Sequence, residues 1–268
     1  MKFDLSLLLL FSGWTAAATS SVRRGSEEGP FEGAVQRPSH RHRILEDECS
    51  AISTSSSYSE DLYSSEDEHD YTGVKITNLS YSQPFGGSFL VVVHKRSAPA
   101  LFELGKGASD GLRDLAENGS TKSLVEAICD HEGPYDDRVG YVASVGSPIA
   151  GGESLYFNVP NMDNYDYLTV ASRAVNTNDC FVGFNRLYID KGDTHYGPGY
   201  DAGTEANNEE CDSLPGPASK SDSGNDEVED GAEGFVHIHR GVHGIGDLDA
   251  SVYDWRDAVA KVEVEIIY

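Results

Sequence analysis

The chain has 268 residues, with 45 acidic against 20 basic side chains and a formal net charge of −25 when histidine is neutral. This acidic excess argues against nucleic-acid binding, because lysine and arginine must neutralise the phosphates of DNA or RNA. It fits a secreted protein, a calcium binder or a surface that meets cationic partners.

Residues 1–18 have the pattern of a signal peptide. Lys2 precedes an apolar run over residues 5–11, and alanines at 16–18 provide a small-residue cleavage site. A membrane anchor or a buried strand is the alternative, but the run is well short of the ~20 residues that span a bilayer. We therefore expect a secreted, extracellular protein without a transmembrane segment.

Residues 19–71 contain no periodic apolar pattern and are rich in serine and carboxylates. Such a segment buries too little apolar surface to offset the entropy of ordering it. We predict a disordered spacer or propeptide here, followed by one folded domain over residues 72–268.

The domain opens with two strand patterns and two helical ones. Residues 74–79 alternate apolar and polar side chains, and residues 89–93 form a β-branched run suited to a central strand. The first helical pattern ends at Asn118-Gly119, and the second begins with a capping box made by Ser123 and Glu126.

The rest of the domain has the pattern of short strands separated by Gly, Pro, Asn and Asp. Strands are predicted over residues 139–145, 154–159, 167–175, 180–187, 235–239 and 259–267. The fold class that follows is mainly β, an antiparallel sandwich with a short helical insertion. Residues 206–233 form a long acidic loop.

Three carboxylates lie on loops beside these runs: Asp179, Asp201 and Glu205. Calcium takes about six to eight oxygens from carboxylates and carbonyls on flexible loops. Gly203 allows a tight turn that would aim Asp201 and Glu205 inward. The sequence thus predicts a calcium site, with plain turn-capping by these acids as the alternative.

Three histidines fall within seven residues: His237, His239 and His243. On a strand, the first two would share a face, and His94 could join them. Imidazole suits zinc, copper, iron or nickel, which makes a second metal site a competing hypothesis. The alternative is a half-exposed strand whose histidines bond to nearby acids or tyrosine.

Four cysteines in an exported chain favour two disulfides, with three connectivities. We favour Cys180–Cys211, because both lie close to the predicted cation loops, and then Cys49–Cys129. Glycosylation sequons begin at Asn78 and Asn118.

From about residue 72 to 267 the chain resembles a spondin domain, the N-terminal module of F-spondin. The matching strings include NDCFVG at 178–183, YDAGTE at 200–205, GFVHIH at 234–239 and DWR at 254–256. The resemblance implies a sandwich similar to C2 domains, with calcium at one loop end and a role in extracellular matrix or adhesion. The family's acidic ligands match Asp179, Asp201 and Glu205.

We therefore predict a monomeric, non-catalytic calcium-binding module whose partner is an extracellular matrix or cell-surface protein or glycan. The sequence has no nucleophile elbow, P-loop, HExxH or CxxC motif. A histidine-based transition-metal protein or metalloenzyme is the alternative. A third hypothesis is that the acidic segments bind mineral or a cationic polymer.

Overall fold

Two antiparallel sheets and three short helices form the described part of the chain. The structure is a computed structural model that describes residues 71–86, 88–146, 148–189, 192–216 and 228–266. The helices are α1 (Asp110–Asn118), α2 (Lys122–Cys129) and α3 (Ala250–Tyr253). The strands are β1 (Tyr71–Asn78), β2 (Phe89–His94), β3 (Val139–Val145), β4 (Ser154–Pro160), β5 (Tyr167–Arg173), β6 (Cys180–Tyr188), β7 (Thr194–Gly197), β8 (Gly199–Asp201), β9 (His237–Ile238) and β10 (Ala260–Ile266).

The strand order is β4-β1-β10-β7 in one sheet and β3-β2-β5-β6-β8-β9 in the other. All strand pairs are antiparallel. The predicted mainly-β class, with a short helical insertion between β2 and β3, is confirmed. The predicted signal peptide and nearly all of the predicted spacer lie outside the described residues.

The six-stranded sheet is the middle layer of the domain. Phe89, Val91 and Val93 of β2 face a core shared with the four-stranded sheet. Leu90 and Val92 face a second core, which is closed by α1 and α2. Because both faces of β2 are buried, its sequence is continuously apolar rather than alternating.

The first helix ends where its sequence predicts, and the second does not begin as predicted. Ser109 Oγ accepts from Leu112 N at the start of α1, and Gly119 ends it at φ 70°. The residue that precedes α2 is Thr121, which makes no side-chain cap. The predicted capping box is wrong, because Ser123 lies inside α2 and donates to Asp114 Oδ2 on α1.

No helix in the described ranges is long and apolar enough to cross a lipid bilayer.

Candidate metal centre

Three segments meet at the end of the six-stranded sheet where β6 and β9 begin and β8 ends. Asp179 directly precedes β6, Asp201 is the last residue of β8 and His237 is the first of β9. Strand register brings them together, since Cys180 pairs with Asp201 and Asp201 pairs with His237. The centre therefore rests partly on the sheet and partly on the loops that leave it.

Asp179 is completely buried, and only one of its two oxygens has a hydrogen-bond partner among the described residues. Oδ2 accepts from the backbone N–H groups of Thr204 (2.7 Å) and Glu205 (3.1 Å). Oδ1 is buried and has no such partner. A buried carboxylate oxygen without a donor is costly, so this oxygen is available to a cation.

Asp201 is also completely buried and shapes the turn that follows it. Its Oδ1 accepts from Gly203 N at 2.7 Å, and its Oδ2 accepts from Asn207 Nδ2 at 2.5 Å. Gly203 adopts a left-handed φ of +71°, and a side chain there would collide with the Phe235 backbone. The turn between Asp201 and Glu205 therefore requires this glycine.

Burial and mutual repulsion raise the pKa values of Asp179, Asp201 and Glu205. For Asp179 the pKa rises to about 7, because of burial first and the Asp201 charge second. Burial also raises the pKa of Asp201. The pKa of Glu205 rises to about 7 through burial, then through the charge of Glu117. A bound cation would favour the ionised forms of all these groups.

One buried arginine lies close to these acids. Arg173, at the end of β5, donates through Nη2 to the carbonyl oxygens of Thr177 and Asn178, both at 2.9 Å. Burial lowers its pKa to about 10, opposed by the charges of Glu205 and Asp179. Arg173 thus holds the loop that positions Asp179 and supplies one positive charge to several acids.

One group of described residues has the ligand spacing of a metal site, and it consists of Asp201, Glu233 and His237. Their ligand atoms lie within 4.8 Å of one another. His237 Nε2 is 3.5 Å from Asp201 Oδ1 and 3.8 Å from Glu233 Oε2. His237 Nδ1 is 3.1 Å from the Ile238 carbonyl oxygen, which can only accept, so Nδ1 carries a proton. In the neutral ring the Nε2 lone pair then faces both carboxylates.

The three predicted calcium ligands lie in one region of the structure. Among the described residues, however, their ligand atoms do not form one group with the spacing of a metal site. Asp201 joins Glu233 and His237. Asp179 Oδ2 is engaged with the turn after β8, and Glu205 Oε1 accepts from Val228 N at 3.4 Å. Glu233 was not predicted. Its position four residues before His237 could have suggested a shared metal site. The many other acids of the same loop gave no reason to select it.

Among the described residues, the group with metal-ligand spacing contains His237 but neither His239 nor His243. Strand β9 ends at Ile238, so His239 does not share a strand face with His237. His239 is buried, with Nε2 3.0 Å from Asn207 Oδ1 and Nδ1 accepting from Gly241 N. Burial lowers its pKa to about 4. His243 is exposed.

Nor does His94 join these histidines, because its ring nitrogens lie 2.9 Å from Thr169 Oγ1 and the Lys95 carbonyl oxygen. It is part of the β2–β5 packing.

The predicted Cys180–Cys211 disulfide is also wrong, because both residues are buried thiols. Cys180 lies beside Gly199 and Trp255. Cys211 lies on a 3₁₀ turn whose backbone is held by Asp247 Oδ2. Cys129 is disulfide-bonded, and its predicted pairing with Cys49 stays a prediction, since Cys49 lies outside the described residues.

Neither a scan of family models nor a search of curated proteins gave a match to this chain.

Proposed function

We propose that this chain is a secreted, non-catalytic binding module that is stabilised by calcium at one end of its β-sandwich. Its partner would be a protein or glycan of the extracellular matrix or cell surface. The extracellular and adhesive parts of the proposal rest on the predicted signal peptide and on the resemblance of residues 72–267 to a spondin domain.

The observation that carries the calcium proposal is the burial of Asp179 and Asp201 side by side, with one Asp179 oxygen that has no donor among the described residues. Two ionised carboxylates in a water-poor region repel each other and lose hydration. Arg173 offsets only part of this charge. A divalent cation would neutralise both acids, and Asp179 Oδ1 would coordinate it.

Calcium suits this arrangement better than magnesium does. Its coordination is flexible and combines carboxylates with backbone carbonyls, whereas magnesium demands a near-ideal octahedron. Asp179, Glu205 and Glu233 lie on the loops before β6, after β8 and before β9, so their positions can adjust around Asp201, which ends β8. Binding would lock these loops against one another.

Thermal unfolding of the full chain in calcium and in EGTA tests the proposal. At a calcium concentration about 100 times Kd, stability should rise by about 2.7 kcal/mol. For a domain of this size each kcal/mol corresponds to roughly 2–4 °C. An EGTA transition that coincides with the calcium transition would contradict the proposal.

Asp201→Asn separates a cation site from a merely structural carboxylate. The amide removes the repulsion with Asp179 but keeps only one of the two acceptor oxygens that bond Gly203 and Asn207. The test therefore compares Tm with and without calcium within the variant, where calcium should no longer raise it. Glu126→Gln is the matched control, because Glu126 lies exposed on α2. It should keep the full calcium shift.

A second candidate function has a specific observation in its favour. With His237 Nδ1 directed at the Ile238 carbonyl oxygen, Nε2 of the neutral ring would be a nitrogen ligand beside two carboxylates. Nitrogen ligands favour zinc and related metals over calcium. A transition-metal protein would bind zinc tightly through His237, and a calcium module would not depend on that ring.

A further inference from the structure

Two asparagines of this chain begin the same glycosylation triplet, and the structure places them in opposite environments. The triplets are Asn78-Leu79-Ser80 and Asn118-Gly119-Ser120. A glycan is bulky and hydrated, so the asparagine that carries it must reach solvent in the folded protein. The triplet alone does not distinguish the two positions.

Asn78 is completely buried at the end of β1. Its Nδ2 donates to the carbonyl oxygens of Gln83 (2.7 Å) and Ile149 (3.2 Å). Its Oδ1 accepts from the backbone N–H and the hydroxyl of Ser80. A sugar on Nδ2 would replace one of its two hydrogens and so remove one of the donated bonds. The completely buried side chain also leaves no space for it, so the fold is incompatible with a glycan at Asn78.

Asn118 is exposed as the last residue of α1. The helix buries Leu112 and Leu115 on its opposite side, and Gly119 turns the chain away at φ 70°. Asn118 Nδ2 donates to Asp114 Oδ1 at 3.4 Å in an exposed contact, so a substituent on that nitrogen would extend towards solvent without displacing either apolar residue. We propose that Asn118 is an N-glycosylation site and that Asn78 is not one.

The co-reactant is an oligosaccharide joined through its anomeric carbon to a polyprenyl diphosphate. The Asn118 amide nitrogen forms a bond to that carbon, and the carbon–oxygen bond to the diphosphate breaks. The diphosphate leaves with the bonding electron pair, and the amide nitrogen gives up one proton to a base. No oxidation or reduction occurs.

This inference depends on the secreted location in the proposed function and is independent of calcium. The test is to express the full chain in a eukaryotic secretory cell and to measure the mass of the secreted protein before and after peptide N-glycosidase treatment. Peptide mapping then shows which asparagine was converted to aspartate. We expect one glycosidase-sensitive mass step, assigned to Asn118.

Two substitutions, Asn118→Gln and Ser120→Ala, should each abolish that step although Asn78 stays intact. Both change exposed or half-exposed positions of the α1–α2 connection, so secretion should continue. Secreted protein without a glycan at Asn118, or with one at Asn78, would overturn the inference. A chain retained in the cytosol would overturn it together with the secreted location, whereas the EGTA experiment reports on calcium separately.

Discussion

His237 lies directly opposite Asp201 in the β8–β9 pairing, with His237 Nε2 3.5 Å from Asp201 Oδ1. Strand register fixes this pair, whereas Glu233 and Glu205 lie on loops. The pair is therefore the rigid side of the proposed metal centre. Whether the centre prefers zinc or calcium depends on whether the His237 ring or the surrounding carboxylate oxygens bind the metal most strongly.

His237→Gln distinguishes the two cations. We expect zinc affinity to fall by at least about tenfold, because a nitrogen ligand is lost, while the calcium-induced rise in Tm is retained. Titration calorimetry with each metal measures both effects. The control is His243→Gln, at an exposed histidine, which should change neither. Loss of the calcium response in His237→Gln alone would show that calcium also needs the ring.

The chelated protein should lose stability as pH rises from about 6.5 to 8. In the folded chain the pKa values of Asp179 and Glu205 are raised from 3.8 and 4.5 to about 7. The folded state therefore holds more protons than the unfolded state until pH passes 7, and unfolding becomes easier as these protons leave.

Below pH 6.5 the dependence is mixed. The pKa of His239 is lowered from 6.5 to about 4, so this residue makes stability rise with pH in that range and opposes the carboxylates. Urea unfolding midpoints at several pH values, in EGTA and in calcium, measure the effect. Calcium should flatten the decline above pH 6.5. A decline of equal slope with calcium present would contradict the assignment of these carboxylates to the cation site.

Removal of the buried guanidinium in Arg173→Met should destabilise the chain by about 3–5 kcal/mol in EGTA, because it leaves buried acids without their counter-charge. It also removes two hydrogen bonds to the loop before β6. Calcium should reduce the loss, since it supplies positive charge to the same acids. Urea denaturation measures the loss of stability in this variant and in the control Arg240→Met, at an exposed arginine. If Arg173→Met lost the same stability in EGTA and in calcium, Arg173 would not act on the acids of the cation site.

Cys180 and Cys211 should resist alkylation in the native chain, because both side chains are buried. Burial also raises the pKa of the Cys180 thiol well above its usual value, which suppresses the reactive thiolate. Denaturation without reductant should then expose two reactive thiols to iodoacetamide, counted by mass. A denatured chain with no reactive thiol would show instead that these cysteines are oxidised.

The sequence predicted the sheets well because burial leaves a local pattern. The β2 run and the apolar face of α1 follow directly from the packing of their side chains on either side of the middle sheet. Strands β7 and β8 were missed, because segments of four and three residues are too short to show a periodic pattern.

The candidate centre was harder to predict, because it depends on register between strands distant in sequence. Asp201 was predicted from its loop, but its position opposite His237 is set by the β8–β9 pairing, and Glu233 reaches them from the loop before β9. The histidine spacing suggested a shared strand face, yet β9 ends before His239. No local pattern distinguishes a two-residue strand from a five-residue one.

The most direct test of the proposed calcium module is elemental analysis of the purified full chain before and after dialysis against EGTA. We predict about one calcium per chain before dialysis, little zinc or other transition metal, and loss of the calcium with EGTA. Absence of calcium, or a transition metal at similar stoichiometry that disappears in His237→Gln, would contradict the calcium account.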